Sequence, residues 1–459
     1  MLSIVARTIF RIQERLLGRD TFAIARQLEE SQWWPRERLD ALRASRLAEL
    51  VSSAYEHTPY WREVMDRHGI AAGDVRGLAD LRRFPLLDKT TLRSRRDEMT
   101  RRDLRRVQLV RTSGSTNEAL QFHTSSIREA HINAARIRGH RWIGVNKGDK
   151  EVYFWGAPVE LHAQDRLKRL RDRLVNDMLT SALIISPRTV PEYVARWSDW
   201  RVKCLFGFPS CMVLLAQMSA RLGVDISVLK RRGLKVVCTT AEVLGANREI
   251  IAKAFGVPVY DSFGLREAGL IGHECEHGTM HTTDEQLILE TIDPATGQPT
   301  EGEGELVVTN LVGLAMPLIR YRTGDAVTLS AAPCPCGRSL GGLTISGGRM
   351  LDFVVTSQGR WVGGVAFIYS MRAIKGVVKF QVHQERIGQV RVLLAVDREF
   401  PANGVEQVRS VVAKRLGCDD EILVELVEDI QPAPSGKYRP VVSKVAQQLR
   451  AGDVFPPQA

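Results

Sequence analysis

The chain has no run of about 18 consecutive apolar residues, the length a membrane-crossing helix requires. Its opening, MLSIVARTIFRIQERLLGRD, lacks the unbroken apolar core and small-residue cleavage site of a secretion signal. Cysteine is sparse and odd in number, seven in all, which argues against a disulfide framework and points to the reducing cytoplasm. There is no GxxxxGK[ST] loop, so a P-loop NTPase is disfavoured. No zinc-finger, recognition-helix or aromatic RNA-reading motif is present, so nucleic acid is not the expected partner. Internal repeats and low-complexity tracts are also missing.

What is present is an ordinary soluble composition: 459 residues, 44% hydrophobic and 25% charged. That length exceeds one typical core, so two or three domains are expected. The net charge of +11 is concentrated locally. Arg93 to Arg111 holds eight arginines against three acids, the pattern of a solvated helix face that also steers anionic substrates. Near the start, Leu2, Val5, Ile9, Ile12 and Leu16 recur at helical spacing beside Arg7, Arg11, Arg15 and Arg19. The expectation is an amphipathic helix docked on the body, and the alternative is peripheral contact with anionic lipid.

Residues 21–110 read as mostly helical, with RERLDALRASRLAELVSSAYEH carrying apolar residues at helical spacing until HTPYW interrupts it. From 110 to 310, β-rich runs (EVYFW, LKVVCTT, VPVYDSF, GELVVTNL) alternate with helical ones, which predicts an α/β layered domain. Beyond Gly348 the pattern becomes a hairpin, a helix and a strand, enough for a small α+β unit. The predicted organisation is a large domain over 1–347, helical up to about 105, and a small C-terminal domain over 348–459, with ISGGRMLD as the joint.

The chemistry starts at VRTSGSTNEALQFHTS. Thr112, Ser113, Gly114, Ser115 and Thr116 end a strand-like segment with hydroxyls, free backbone N–H groups and no bulk, as close approach to phosphate oxygens requires. Alone, this is equally a serine-rich turn. Five further motifs follow in order: TTAEVL, YDSFGLREAG, YRTGD, GGRMLD and PSGKYR. With them the sequence resembles the adenylate-forming superfamily of acyl-CoA synthetases, nonribosomal adenylation domains and luciferases. TAEVL, REAG, AMPLIRYRTGD and the CPCG after it resemble, more closely, the phenylacetate–CoA ligase branch with its capsule-polysaccharide relatives.

The resemblance implies roles residue by residue. Glu267 would hold Mg²⁺ against the ATP phosphates, since a hard cation prefers carboxylate oxygen. Ala241, Glu242, Asp261, Ser262, Phe263 and Gly264 would line the nucleotide, with Phe263 offering a flat face. Asp325 would accept both ribose hydroxyls, Arg349 would sit near ribose or phosphate, and Asp352 would lie at the hinge of a swinging small domain. Lys437 would neutralise charge on the phosphorus oxygens as the carboxylate attacks. Outside the pattern, Glu267 is a surface acid, Asp325 and Asp352 are turn residues, and Lys437 is a solvated lysine. The chain departs from the family at Asn117, Ala119, Ala241, Phe263 and Arg266, none of which removes a catalytic charge.

Two short stretches suggest a metal. Cys275 and His281 in HECEHGTMH, with Cys334 and Cys336 in PCPCGR, supply three thiolates and an imidazole, a closed set for structural Zn²⁺. His277 rivals His281, and His273 is a weaker rival. Some members of the resembled branch carry zinc at such cysteines. Cys204, Cys211 and Cys238 read as buried thiols in apolar surroundings.

The expected activity is ATP-dependent activation of a carboxylic acid, followed by transfer to coenzyme A. The alternative acceptor is an amine or hydroxyl of a sugar or other metabolite. A non-catalytic nucleotide-binding assembly protein is the rival class, and the survival of Lys437, Glu267 and Asp325 speaks against it. Trp155, Phe206 and Phe208 could equally line an aromatic acid's pocket or belong to the core. Homodimer formation is a further expectation from the branch.

Overall fold

The computed structural model describes residues 2–104, 106–111, 120–155, 170–347, 353–371, 374–431 and 439–446. Helices account for most of Ser3–Met99. The longest, Arg36–His57, stops where expected. Thr58 precedes a proline and is extended (φ −127°, ψ 119°), so the helix cannot continue, and a new one starts at Pro59. The buried face of Arg36–His57 includes Leu47, Leu50, Val51 and Ala54, which join a core with Trp61, Phe84, Leu92 and Tyr321.

A mixed sheet of eleven strands, counted among the described residues, forms the centre. Five strands run parallel: Asp177–Ser181 at one edge, then Glu151–Trp155, Cys204–Gly207, Val236–Thr240 and Val259–Leu265. The rest are antiparallel, in the order Gly269–Glu274, Met280–Thr282, Gly342–Gly347, Tyr321–Ser330, Gly304–Asn310 and Leu287–Ile292. Side chains of the parallel strands alternate between two faces. Leu205, Val237 and Val259 face the helices Thr189–Asp199, Pro209–Arg221 and Asn247–Phe255, in a core with Trp197 and Phe255. Phe206 and Cys238 point to the other face, where helix Ser126–Trp142 brings His140 against them.

One buried ion pair fastens the helices to this sheet. Glu285 is fully buried and accepts from Arg138 Nη1 (2.6 Å) and Ser31 Oγ (2.6 Å) through Oε1. Its backbone carbonyl accepts from Arg46. Helices Thr21–Ser31, Arg36–His57 and Ser126–Trp142 therefore meet at one residue.

The C-terminal unit is a four-stranded sheet in the order Glu421–Leu426, Gln389–Val396, Val377–Arg386, Val441–Ser443. Helix Gly404–Leu416 covers it, and Val382, Val392, Val408 and Leu416 form its core. Its first strands, Phe353–Val355 and Trp361–Gly363, do something the sequence did not announce. Phe353–Val355 pairs with Trp361–Gly363, and Trp361–Gly363 pairs in turn with Ile184–Ile185, setting Trp361 opposite Ile185 and Val362 opposite Ile184. Phe353 and Trp361 enter the core of the large body, while Val354 and Val362 enter that of the small unit.

Removing the Glu285 carboxylate leaves Arg138 buried and unpaired. Glu285→Ala is expected to cost about 3–5 kcal/mol of unfolding free energy, read as a lower denaturant midpoint. An unchanged midpoint would show that the pair does not hold the helices.

Candidate functional site

The parallel strands end on one side of the sheet, the side where open α/β sheets bind ligands. Val259–Leu265 carries YDSFGL and turns through Arg266–Ala268 into Gly269–Glu274. Glu267 sits in this hairpin turn and is buried, not a surface acid at a helix start. Two residues hold it. Tyr321 Oη donates to its Oε1 (3.0 Å), and Arg128 Nη2 donates to the backbone carbonyls of Glu267 (2.6 Å) and Arg266 (2.9 Å). Burial and the Glu267 carboxylate push the Tyr321 phenol well above its usual pKa, so it keeps its proton and remains a donor. Neither residue was singled out from the sequence. Tyr321 belongs to YRTGD, but only the fold brings it to Glu267.

Asp325 lies four residues along the same strand as Tyr321 and is half-buried. Its negative charge also acts on the Tyr321 phenol, as does the Arg93 cation with opposite sign. The preceding Gly324 has φ +79°, a left-handed geometry that glycine adopts without strain. Its N–H donates to Glu305 (3.1 Å), and Lys89 Nζ donates to the Thr323 carbonyl (2.7 Å). Helix Lys89–Ser94 thus stands beside YRTGD, tied in by the pairing of Leu87 with Tyr321. Part of the arginine-rich stretch borders the candidate site.

The other nucleotide-stretch residues have individual surroundings. Ala241 has φ +68°, where a Cβ is strained, and this explains physically why glycine suits that position. Glu242 is buried and accepts from Ser210 N (2.9 Å) and Ser210 Oγ (2.9 Å) at the start of helix Pro209–Arg221. That places an acid at the positive end of the helix dipole. Asp261 is buried, accepts from Thr239 Oγ1 (2.7 Å), and is pushed up to about 7 by burial. Ser262 Oγ donates to the Thr239 carbonyl (3.0 Å). Phe263 belongs to an apolar cluster with Ile271, Leu306 and Val308. A Cβ on Gly264 would lie 2.8 Å from the Gly269 carbonyl, so the hairpin itself requires glycine there.

Thr112 to Thr116, Asn117, Ala119, Arg349, Asp352 and Lys437 lie outside the described residues. Trp155, Phe206 and Phe208 form a stack at the strand ends, with Trp155 4.4 Å from Phe208 and 6.0 Å from Phe206 between ring centroids. Trp155 and Phe206 are only partly buried, so this ladder has a wall to offer a flat ligand.

The cysteines assemble as a tetrad. Ligand atoms of Cys275, His281, Cys334 and Cys336 all lie within 4.8 Å of one another. Cys275 Sγ is 3.7 Å from Cys334 Sγ, and His281 Nε2 is 3.1 Å from Cys336 Sγ. Two sulfurs each about 2.3 Å from one tetrahedral ion sit about 3.8 Å apart, so the residues fit zinc. His281 Nδ1 faces the Leu340 carbonyl (3.3 Å), leaving Nε2 as the ligand atom, and burial keeps the ring neutral. The rivals take other places. His277 contributes its backbone N–H to Cys275 Sγ (3.4 Å), and His273 turns into the sheet.

Cys238 is not in purely apolar surroundings. Its sulfur lies 3.6 Å from His273 Nε2, and His140 completes a fully buried group. Burial pushes His140 down to about 3 and His273 to about 4. Arg136 Nε donates to His140 (3.4 Å), and the His273 ring donates to the Glu274 carbonyl (2.8 Å). With the guanidinium already filling the imidazole's acceptor position, this is a satisfied core network.

Two measurements follow. Purified chain is expected to carry about one zinc by metal analysis, lost in Cys334→Ser/Cys336→Ser together with thermal stability. Fully active protein free of zinc would end that assignment. Tyr321→Phe frees the Glu267 carboxylate and is expected to raise the Mg²⁺ requirement roughly 2- to 10-fold with the fold intact. An unchanged Mg²⁺ dependence would remove Tyr321 from the site.

Residues 354–444 match the family model described as the CapK C-terminal domain. The chain is 29% identical to phenylacetate-coenzyme A ligase of Thermus thermophilus over 328 residues, covering 68% of this chain and 70% of that one. It is 20% identical to protein CapK of Staphylococcus aureus, covering 88% and 89%. Among solved structures, 2-hydroxyisobutyryl-CoA ligase with 2-HIB-AMP and CoA in its thioesterification state superposes with a TM-score of 0.61 at 19% identity, covering 92% and 95%. The chain is a homologue of the phenylacetate–coenzyme A ligases and of CapK, and it has the fold of the adenylate-forming ligases.

Proposed function

We propose that the chain is an AMP-forming ligase that activates a carboxylic acid with ATP and passes it to coenzyme A. The observation that carries this reading is Glu267, buried in the turn after YDSFGL and held on its side chain by Tyr321 and on its backbone by Arg128. A carboxylate fixed from two directions at the strand ends, with Asp325 on the strand that supplies Tyr321, is what phosphate-bound Mg²⁺ and a ribose need. Bound there, the magnesium ion would offset charge on the phosphates.

In the first step a carboxylate oxygen of the acid attacks the α-phosphorus. The bond to the bridging oxygen breaks, pyrophosphate leaves, and an acyl-adenylate remains. Lys437 is assigned the neutralising role on its motif, PSGKYR. In the second step the coenzyme A sulfur attacks the acyl carbon, loses its proton, and AMP departs. The Trp155–Phe206–Phe208 ladder supports an aromatic or otherwise flat acid. The zinc tetrad joins the turn at Cys275, the strand Met280–Thr282 at His281 and the loop at Cys334 and Cys336, and has no open position, so it is assigned to holding these segments together.

A second acceptor is favoured by one finding. The family model that matches the C-terminal unit is that of CapK, a capsule-polysaccharide relative by the resemblance drawn from the sequence. A sugar amine or hydroxyl would then replace the thiol.

Lys437→Ala is expected to lose pyrophosphate exchange driven by a carboxylic acid, by about 100-fold or more, while the melting temperature stays the same. Exchange unaffected by the change would refute the mechanism. Trapping the adenylate with coenzyme A against amino sugars decides between the two acceptors.

A further inference from the structure

The helix Ser3–Leu16 is attached to the body along a narrow strip. Its buried residues are Ala6 and Glu14. Phe10 meets Phe22 edge-on (6.0 Å), and Glu14 accepts from Asn133 Nδ2 (3.0 Å) and Arg19 (3.3 Å). The apolar stripe expected to be the docking face points elsewhere. Leu2 is 74% exposed, Val5 42%, Ile12 55% and Leu16 75%, with Ile9 half-buried among them. At 3.6 residues per turn these five side chains span an arc of about 80°. The packing expectation is reversed because Ala6, Phe10 and Glu14 lie on a different side of the helix and are the residues that find partners.

Charge sorts the same way. Between Leu2 and Arg19 the single acid is Glu14, which is buried and paired, while Arg7, Arg11 and Arg15 are exposed. Arg106, from the arginine-rich stretch, donates to the Leu16 carbonyl (3.3 Å), so more positive charge abuts the helix end. The outer side of this element is therefore apolar along one line and cationic along the next. Two copies packed stripe to stripe would leave the arginine rows without an anionic partner, and nucleic acid would leave the leucines and isoleucines in water. A bilayer surface bearing anionic phospholipid meets both requirements, taking the apolar line between its acyl chains and the guanidiniums among its phosphates. No helix among the described residues is long and apolar enough to cross a membrane, so the contact lies in the plane of the surface.

We propose that the helix Ser3–Leu16 is an interfacial anchor that docks the protein on an anionic phospholipid membrane, with Leu2, Val5, Ile12 and Leu16 inserted and Arg7, Arg11 and Arg15 at the headgroups. This is independent of the nucleotide site, so it stands or falls separately from the proposed ligase activity.

The test is co-sedimentation of the full chain with vesicles of phosphatidylcholine alone or mixed with phosphatidylglycerol. Binding to the mixed vesicles only, weakened by added salt, is expected. Ile12→Glu/Leu16→Glu should lower the partition coefficient at least about tenfold. Arg11→Ser/Arg15→Ser should erase the preference for anionic lipid. Both pairs change exposed side chains, so melting temperature and pyrophosphate exchange should match the parent. The proposal is overturned if the parent stays in the supernatant with both vesicle types, or if Ile12→Glu/Leu16→Glu binds as well as the parent. It is equally overturned if that variant only turns a dimer into a monomer, or if the parent binds duplex DNA in a way the variant does not alter.

Discussion

The buried pair of Arg138 and Glu285 fixes helix Ser126–Trp142 against the body, and the candidate site is built from that fixed point. Ten residues before Arg138 on the same helix stands Arg128, which grips the backbone of the Glu267 turn. Ten residues of α-helix span about 15 Å. The helix is thus a strut with a guanidinium at each end, one locked to a structural carboxylate and the other to the turn bearing the candidate one. Few side chains other than arginine could serve both ends. Its planar fork reaches two carbonyls at once, as at Arg266 and Glu267, and it stays charged when buried.

The same logic separates what the sequence revealed from what it concealed. Periodicity located Arg36–His57, three of the five parallel strands with the antiparallel Gly304–Asn310, and the hairpin–helix–strand order of the C-terminal unit, because each is a local pattern set by its buried side chains. Order and spacing of motifs pointed to Glu267 and Asp325. The Tyr321–Glu267 bond was hidden because its partners are 54 residues apart in chain and meet only when Tyr321–Ser330 is placed in the sheet. Arg128 sits in a helix with nothing to distinguish it from its neighbouring arginines until its carbonyl partners are in view. In sequence His277 is the rival of His281. Backbone direction separates them, since His277 lies in the turn and supplies its N–H, whereas His281 lies on a strand with its ring toward Cys336.

The first helix shows the limit of the apolar-inside rule. Its hydrophobic line was legible, yet the side the body receives is the one with Ala6, Phe10 and Glu14. A sequence pattern says which side chains avoid water, and leaves open whether the protein or something else shelters them.

The strands Phe353–Val355 and Trp361–Gly363 belong to two cores at once, with neighbouring side chains anchored in opposite halves of the molecule. Trp361–Gly363 also pairs with Ile184–Ile185, which follows closely on the edge strand Asp177–Ser181, itself laddered to Glu151–Trp155. These two strands therefore work less like a loose tether than like a gear tooth. Turning the C-terminal half either shears that three-stranded ladder or drags Ile184–Ile185 along, and in the second case the torque arrives at Trp155, the indole on which both Phe206 and Phe208 stack.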